Sequence, residues 1–390
     1  MLAFTAQRLL TPDQAVEHPL LLVEQDRIVE IATCSARQLP AGVSATDFGT
    51  SLIAPGYVDL HIHGSSGCDV MDDSPEALPA VERFLARHGV TGYFPTTVTA
   101  PLDRILRGLE HLADAIEACQ HQPNDRNGSR ALPLGIHIEG PFLSHARCGV
   151  HPSQHLLPPK IETFERLWQA ARGRIRIMTI APELNGAIEL ITAATARGVC
   201  VSLGHSDADS AATERAVTAG ARHATHTFNA MRPFHHRDPG IVGAVLTDDR
   251  LTADIIADGV HLDPLVVKLF ARAKGLEHTV LITDATAGAG MPDGHYRLGS
   301  IEVDVRDGKG MSDGTLAGSV LTMDRAVRNL AQFAEWELPL AVAAASRNPA
   351  RVAGLTNKGV LAPAADADFV VLNEQGEVLR TFIGGVECTS

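Results

Sequence analysis

The chain has 390 residues, 45% of them hydrophobic and 20% charged, with a formal net charge of −13. That length buries a large core and leaves room for one big α/β domain with a smaller satellite, and the apolar runs are too short to span a bilayer. The acidic balance repels nucleic acid and anionic membranes at long range and argues against both as partners, while an anionic small molecule can still bind at a local cationic pocket.

Six cysteines (Cys34, Cys68, Cys119, Cys148, Cys200 and Cys388) occur without a Cys-x-x-Cys pair. Neither a disulfide framework nor a thiolate zinc site is expected from them. The first eight residues lack a basic stretch followed by an apolar core, so no secretory signal is evident. The expectation is a soluble, cytoplasmic protein with reduced thiols.

From the N-terminus, the segment 20–31 reads as two strands around a Gln25-Asp26 turn, with no helix beside them. Strand-like and helical runs then alternate, the pattern of a parallel α/β sheet. Strands are expected at 57–63, 91–98, 134–139, 175–181, 199–204, 223–228, 252–258 and 279–284. Stretches at 75–88, 102–119, 186–197 and 264–274 carry the i, i+3, i+4 apolar spacing of covering helices. Eight strands close a (β/α)8 barrel of the TIM type. Near the C-terminus, 367–372 and 379–383 again read as strands without helices. The two ends, 1–54 and 356–390, are expected to form one small β-sandwich domain beside a barrel of 55–355. The alternative is that they decorate the barrel.

The polar residues fall at the C-terminal ends of those strands. His61 and His63 close the first, Glu139 the third, and His205 follows the fifth; His226 lies on the sixth and Asp284 ends the eighth. Residues i and i+2 of a strand share a face, so both rings of His61-Ile62-His63 can reach one point. Any one of these side chains is more often structural, but all six project toward the face where barrel enzymes carry their active sites. Two histidines and a carboxylate hold a divalent ion and leave a position for water, whose pKa falls toward neutrality. Asp284 can take that water's proton and pass it to a leaving nitrogen. The combination is that of hydrolysis of an amide or related bond.

Longer segments carry a resemblance: Pro55-Gly56 through His63-Gly64, His137-Ile138-Glu139-Gly140-Pro141-Phe142, Gly204-His205-Ser206, Thr225-His226-Thr227-Phe228-Asn229-Ala230-Met231, Asp258-Gly259-Val260-His261, Thr283-Asp284-Ala285 and Leu316-Ala317-Gly318-Ser319. Together they make the chain similar to the amidohydrolase superfamily and, inside it, to the deacetylases of N-acetyl amino-sugar phosphates.

The resemblance implies that Glu139, His205 and His226 bind a principal metal ion and that His61 and His63, sharing Glu139, form a second site. Zinc is the first choice, with Fe, Mn or Co also suited to nitrogen and oxygen donors, at one or two ions per subunit. Asp284 matches the catalytic acid/base and His151 a histidine that polarises the acetyl carbonyl. Val150, Asn229, Ala230, His261, Leu316, Ala317 and Gly318 match substrate-binding positions. Arg237 matches an arginine that reaches the phosphate from the neighbouring subunit of a homodimer, with a surface ion pair to Asp238 as the alternative. The implied substrate is a phosphorylated N-acetyl amino sugar, N-acetyl-D-glucosamine 6-phosphate, used in amino-sugar catabolism or cell-wall recycling. An N-acetylgalactosamine 6-phosphate deacetylase and a non-catalytic sugar-phosphate-binding regulator are the alternatives. Cys148 departs from the pattern, standing where many relatives carry lysine, as either a thiol that affects the site or an inert small residue.

Overall fold

A computed structural model describes residues 1–11, 15–121 and 130–388. All six residues of the first parallel strand, Tyr57–Ile62, are buried, as expected for a strand covered on both faces. It pairs with Val90–Thr97, followed in order by Ile136–Glu139, Ile175–Ile180, Cys200–Leu203 and His223–Ala224, all parallel. Ala253–Ile255 and Thr279–Leu281 form a further parallel pair. Backbone bonds close the ring. Ala224 N–H donates to Thr252 O at 3.0 Å and Thr227 N–H to Asp254 O at 2.9 Å, while Asp284 N–H donates to His61 O at 2.9 Å. Eight parallel strands thus form a TIM-type barrel.

The last three strands are shorter than the runs 223–228, 252–258 and 279–284 suggest. Their C-terminal residues turn out of the sheet toward the mouth, and His226 and Asp284 sit there at φ 31° and 48°. Helices Ala77–Arg87, Leu102–His121, Ala187–Thr195 and Pro264–His278 occupy the expected covering positions. The last is capped by Asp263, whose carboxylate accepts from Leu265 N–H with Pro264 in the first turn, and it is kinked at Gly275. No helix among the described residues is long and apolar enough to cross a membrane.

Strands from both ends of the chain build two further sheets. Arg27–Thr33, Pro19–Glu24, Leu2–Thr5 and Ala45–Asp47 form one; Val386–Glu387, Val378–Ile383, Phe369–Leu372, Leu52–Pro55, Arg8–Leu10 and Ala15–Glu17 form the other. Period-two alternation divides the second sheet's side chains between two cores. Phe369 and Val371 pack with Phe4, Ile53 and Phe382, whereas Val370, Leu372 and Ala54 face the barrel core. Phe369 stacks on Phe382 at 4.5 Å and meets Phe4 edge-on at 5.0 Å. The chain passes from sheet to barrel at Gly56, where a Cβ would lie 2.4 Å from the Thr91 side chain.

A four-stranded sheet stands outside the expected elements. Between the eighth barrel strand and helix Met323–Ala334, the strands Gly294–Leu298, Ile301–Arg306, Lys309–Ser312 and Thr315–Leu316 form an antiparallel sheet. It is tied to the loop after the first strand by Gly299 N–H, which donates to Asp69 Oδ2 at 2.7 Å.

Candidate active site

At the C-terminal mouth of the barrel, Glu139 is the hub. Its Oε1 lies 3.1 Å from His205 Nε2 and 3.0 Å from His226 Nε2, and those two nitrogens are 3.1 Å apart. Its Oε2 lies 3.2 Å from His63 Nε2, 3.4 Å from His61 Nε2 and 3.3 Å from His151 Nε2. Asp284 Oδ1 stands 3.3 Å from His63 Nε2 and 3.5 Å from His61 Nε2, and the latter two nitrogens are 3.1 Å apart. All seven side chains are buried.

The backbone holds these groups under strain. His205, His226 and Asp284 all adopt positive φ, unusual for residues with a Cβ and typical of functional sites. His226 N–H is received by Asp254, whose other oxygen accepts from His223 Nε2 at 2.9 Å. Asp59 ties the first strand to the eighth, accepting from the Thr283 hydroxyl at 2.6 Å and from the Thr283 and His61 N–H groups at 3.3 Å. Burial pushes the Asp59 carboxyl up to about 7, against those bonds.

The donor set fits a divalent ion. Atoms bound to one tetrahedral ion stand about 3.4 Å apart, close to the spacings here. Two ring orientations point the same way. His63 Nδ1 faces Thr96 O and His205 Nδ1 faces Arg147 O, each at 3.0 Å, so Nδ1 carries the proton and the Nε2 lone pair faces the centre.

The site also calls for positive charge. At His63, burial is overturned by hydrogen bonds and charges from Asp284 and Glu139, lifting the ring to about 10; at His226, burial is overturned by Glu139 chiefly, lifting it to about 9. His205 goes the other way, to about 4, because burial prevails there over Glu139. Burial opposes ionisation of Glu139 and Asp284, but the neighbouring imidazoles outweigh it and hold both carboxyls below their usual range. A cation at the centre meets the demand that protons on His63 and His226 otherwise meet. The residues gather in two places: His205, His226 and Glu139 Oε1 lie within 3.1 Å of one another, and His61, His63 and Asp284 form a set able to hold an ion, as do Glu139, His151 and His205, with Glu139 reaching both places.

Above the donors lies a cavity of about 400 Å³. Val150, His151, Asn229, Ala230, His261, Leu316 and Gly318 line it together with His63, Glu139, His205, His226 and Asp284. His261 is oriented by Asp258, which takes its Nδ1 at 2.7 Å. Gly318, at φ 55°, leaves space beside Asp284: a Cβ there would lie 2.8 Å from the Asp284 carbonyl oxygen.

Four of the singled-out residues lie apart from the lining, among them His61, fully buried beside His63. Ala317 is fully buried behind its neighbours. Arg237 is exposed on the loop after Met231, and it is Arg232 that pairs with Asp238, at 2.5 Å. The Cys148 thiol points at Gly149 O, 3.7 Å away.

The cavity adds Ala146, Arg147, Leu298 and Thr315, none of them marked by the sequence motifs, and Gly149, which leads into Val150 and His151. Leu298 and Thr315 belong to the extra antiparallel sheet. Its signal was present in the alternation of Ile301, Val303 and Val305 with charged residues and in the Asp307-Gly308 and Asp313-Gly314 turns.

The Amidohydrolase family model matches residues 52–388. The chain is 40% identical over 346 residues to the N-acetylglucosamine-6-phosphate deacetylase of Lysinibacillus sphaericus, covering 88% of this chain and 87% of that protein. It is 37% identical to the N-acetylgalactosamine-6-phosphate deacetylase of Escherichia coli O157:H7, covering 97% of both. Among solved structures, a point variant of the Mycobacterium smegmatis N-acetyl-D-glucosamine-6-phosphate deacetylase, in complex with N-acetyl-D-glucosamine 6-phosphate, superposes with a TM-score of 0.91 at 34% identity, over 100% of this chain and 99% of that one. The chain belongs to the amidohydrolase family and, within it, to the N-acetylglucosamine-6-phosphate deacetylases.

Proposed function

We propose that the protein hydrolyses N-acetyl-D-glucosamine 6-phosphate to D-glucosamine 6-phosphate and acetate, in amino-sugar catabolism or cell-wall recycling. The observation that carries this is the convergence of Glu139, His63, His151, His205, His226 and Asp284 on one cavity, with His61 buried against them, in a chain of this family. Glu139, His205 and His226 would hold the principal ion and His61 and His63, with Glu139, a second; zinc suits imidazole and carboxylate donors, as do Fe, Mn and Co. Such an ion supplies Lewis acidity toward the acetyl oxygen and makes water a nucleophile at neutral pH.

The chain's own groups do the remaining work. Asp284, kept ionised by the imidazoles around it, takes a proton from the attacking water and returns it to the departing amine nitrogen. His151 donates a hydrogen bond to the acetyl oxygen as charge develops there. Asn229, Ala230, His261, Val150, Leu316, Ala317 and Gly318 shape the sugar site, and Arg237 of a second subunit neutralises the phosphate in a homodimer. The terminal sheets, 1–54 and 356–390, form a small β-sandwich domain beside the catalytic unit 55–355; their separate aromatic core supports this. A cytoplasmic location accords with cysteines that form no Cys-x-x-Cys pair.

Acetate release from purified, metal-loaded protein tests the reading. Asp284→Asn should keep the principal ion at Glu139, His205 and His226 and bind substrate yet lose turnover by about 10²–10⁴-fold; near-normal turnover would remove Asp284 from the chemistry. The relative in Escherichia coli O157:H7 gives the galacto configuration weight as a second reading. The ratio of kcat/KM on the two sugar phosphates decides between them, because specificity is that ratio.

A further inference from the structure

His151 sits among the donors with the opposite ring polarity from its neighbours. Where His63 and His205 turn Nδ1 toward backbone carbonyls, His151 Nδ1 meets a backbone N–H, that of Thr99, at 3.3 Å, and the Thr99 hydroxyl at 2.9 Å. A ring nitrogen that receives an N–H carries no proton of its own, since two hydrogens would otherwise collide. The ring's proton is then on Nε2, which faces Glu139 Oε2 at 3.3 Å and the cavity. A nitrogen bearing a proton has no lone pair for a metal.

This bears on an ambiguity in the site. By distance alone, Glu139, His151 and His205 form a set able to hold an ion. Tautomer separates them: the partners of His205 leave its Nε2 free to ligate, and those of His151 make its Nε2 a donor.

The surroundings are built around the hydroxyl. Thr99 is buried just beyond the strand Val90–Thr97, and a Cβ on Gly140, the residue after the shared carboxylate, would lie 2.1 Å from Thr99 Oγ1. Gly140, at φ 87°, is the residue that leaves the hydroxyl its place. The backbone of His151 is fixed separately, its N–H donating to Cys148 O at 3.1 Å.

We propose that Thr99 is a positioning residue that sets the tautomer of His151, so that His151 presents Nε2–H to the reacting acetyl oxygen and does not ligate metal. The inference rests on the reading of His151 as the carbonyl donor, and its test separates the two. Nitrogen-15 NMR of histidine-labelled protein, metal-free and cadmium-substituted, with His151→Gln identifying the resonances, should show His151 Nδ1 unprotonated, Nε2 protonated and no coupling of Nε2 to cadmium. Thr99→Val, which keeps the backbone donor but loses the hydroxyl, should lower kcat roughly tenfold with KM and metal content unchanged, and Thr99→Ser should restore it to within about twofold. A proton on Nδ1, a cadmium coupling at Nε2, or full kcat in Thr99→Val would overturn the proposal. Full kcat in His151→Gln would instead overturn the catalytic reading of His151, whatever its tautomer.

Discussion

His61 makes its closest approaches to members of its own set: Nε2 is 3.1 Å from His63 Nε2, 3.4 Å from Glu139 Oε2 and 3.5 Å from Asp284 Oδ1. His205, His226 and Glu139 Oε1 meet without it. His61→Ala should therefore lower the metal content of chelator-free protein by about one equivalent per chain while the principal set stays filled, because each ion depends on its own donors. Elemental analysis measures this, and an unchanged stoichiometry with unchanged activity would make the His61 and His63 pair structural. The donors were legible in the sequence because strand ends fix where they point. Thr99, Asp59 and Arg147 were not: each meets its partner on a different strand or loop, 52, 224 or 58 positions away, and no short spacing encodes such a pairing.

Among the elements, the strand Phe369–Leu372 joins the barrel core to the terminal sheets, and the segment leading into it carries a buried charge cluster. Lys358 Nζ lies 2.7 Å from Asp366 and 2.5 Å from Asp368, Asp366 also pairs with Arg27, and Asp368 accepts Gly384 N–H at 2.8 Å. Burial disfavours the Lys358 charge, but the two carboxylates outweigh it and raise its pKa. Lys358→Met strands two carboxylates, a change that costs about 3 kcal/mol, the low end for a broken buried pair because Arg27 remains. Thermal unfolding should show Tm lower by several degrees, and a shift under about one degree would mean the cluster contributes nothing net. All eight barrel strands were legible, since each is an apolar run bounded by turns. The lengths of the last three were not, because the residues that leave the sheet to place His226 and Asp284 have the same composition as those that stay.

For the whole molecule, charge poses the remaining question: a chain of net charge −13, with Glu139 and Asp284 in its cavity, must hold a phosphorylated sugar. Arg147 is the one Lys or Arg among the residues lining that cavity, and its Nε is engaged with Asp207 at 2.8 Å. Arg237 lies outside its own chain's cavity, on an exposed loop that also carries Phe234, a large apolar side chain 56% exposed. An exposed aromatic on the same loop as a guanidinium that pairs with no carboxylate among the described residues suits a surface that a second copy covers, with the arginine delivered across the symmetry axis. Co-expressing Arg237→Ala with Asp284→Asn chains tests that arrangement. Each homodimer is impaired at both sites, but a hybrid would have one site with Asp284 from the first chain and Arg237 from the second. Random pairing makes half the dimers hybrid, so activity should return to about one quarter of wild type per chain if Arg237 acts across the interface. If Arg237 serves its own chain, or the protein is monomeric, the hybrid gains no intact site and activity stays at the average of the two separate variants.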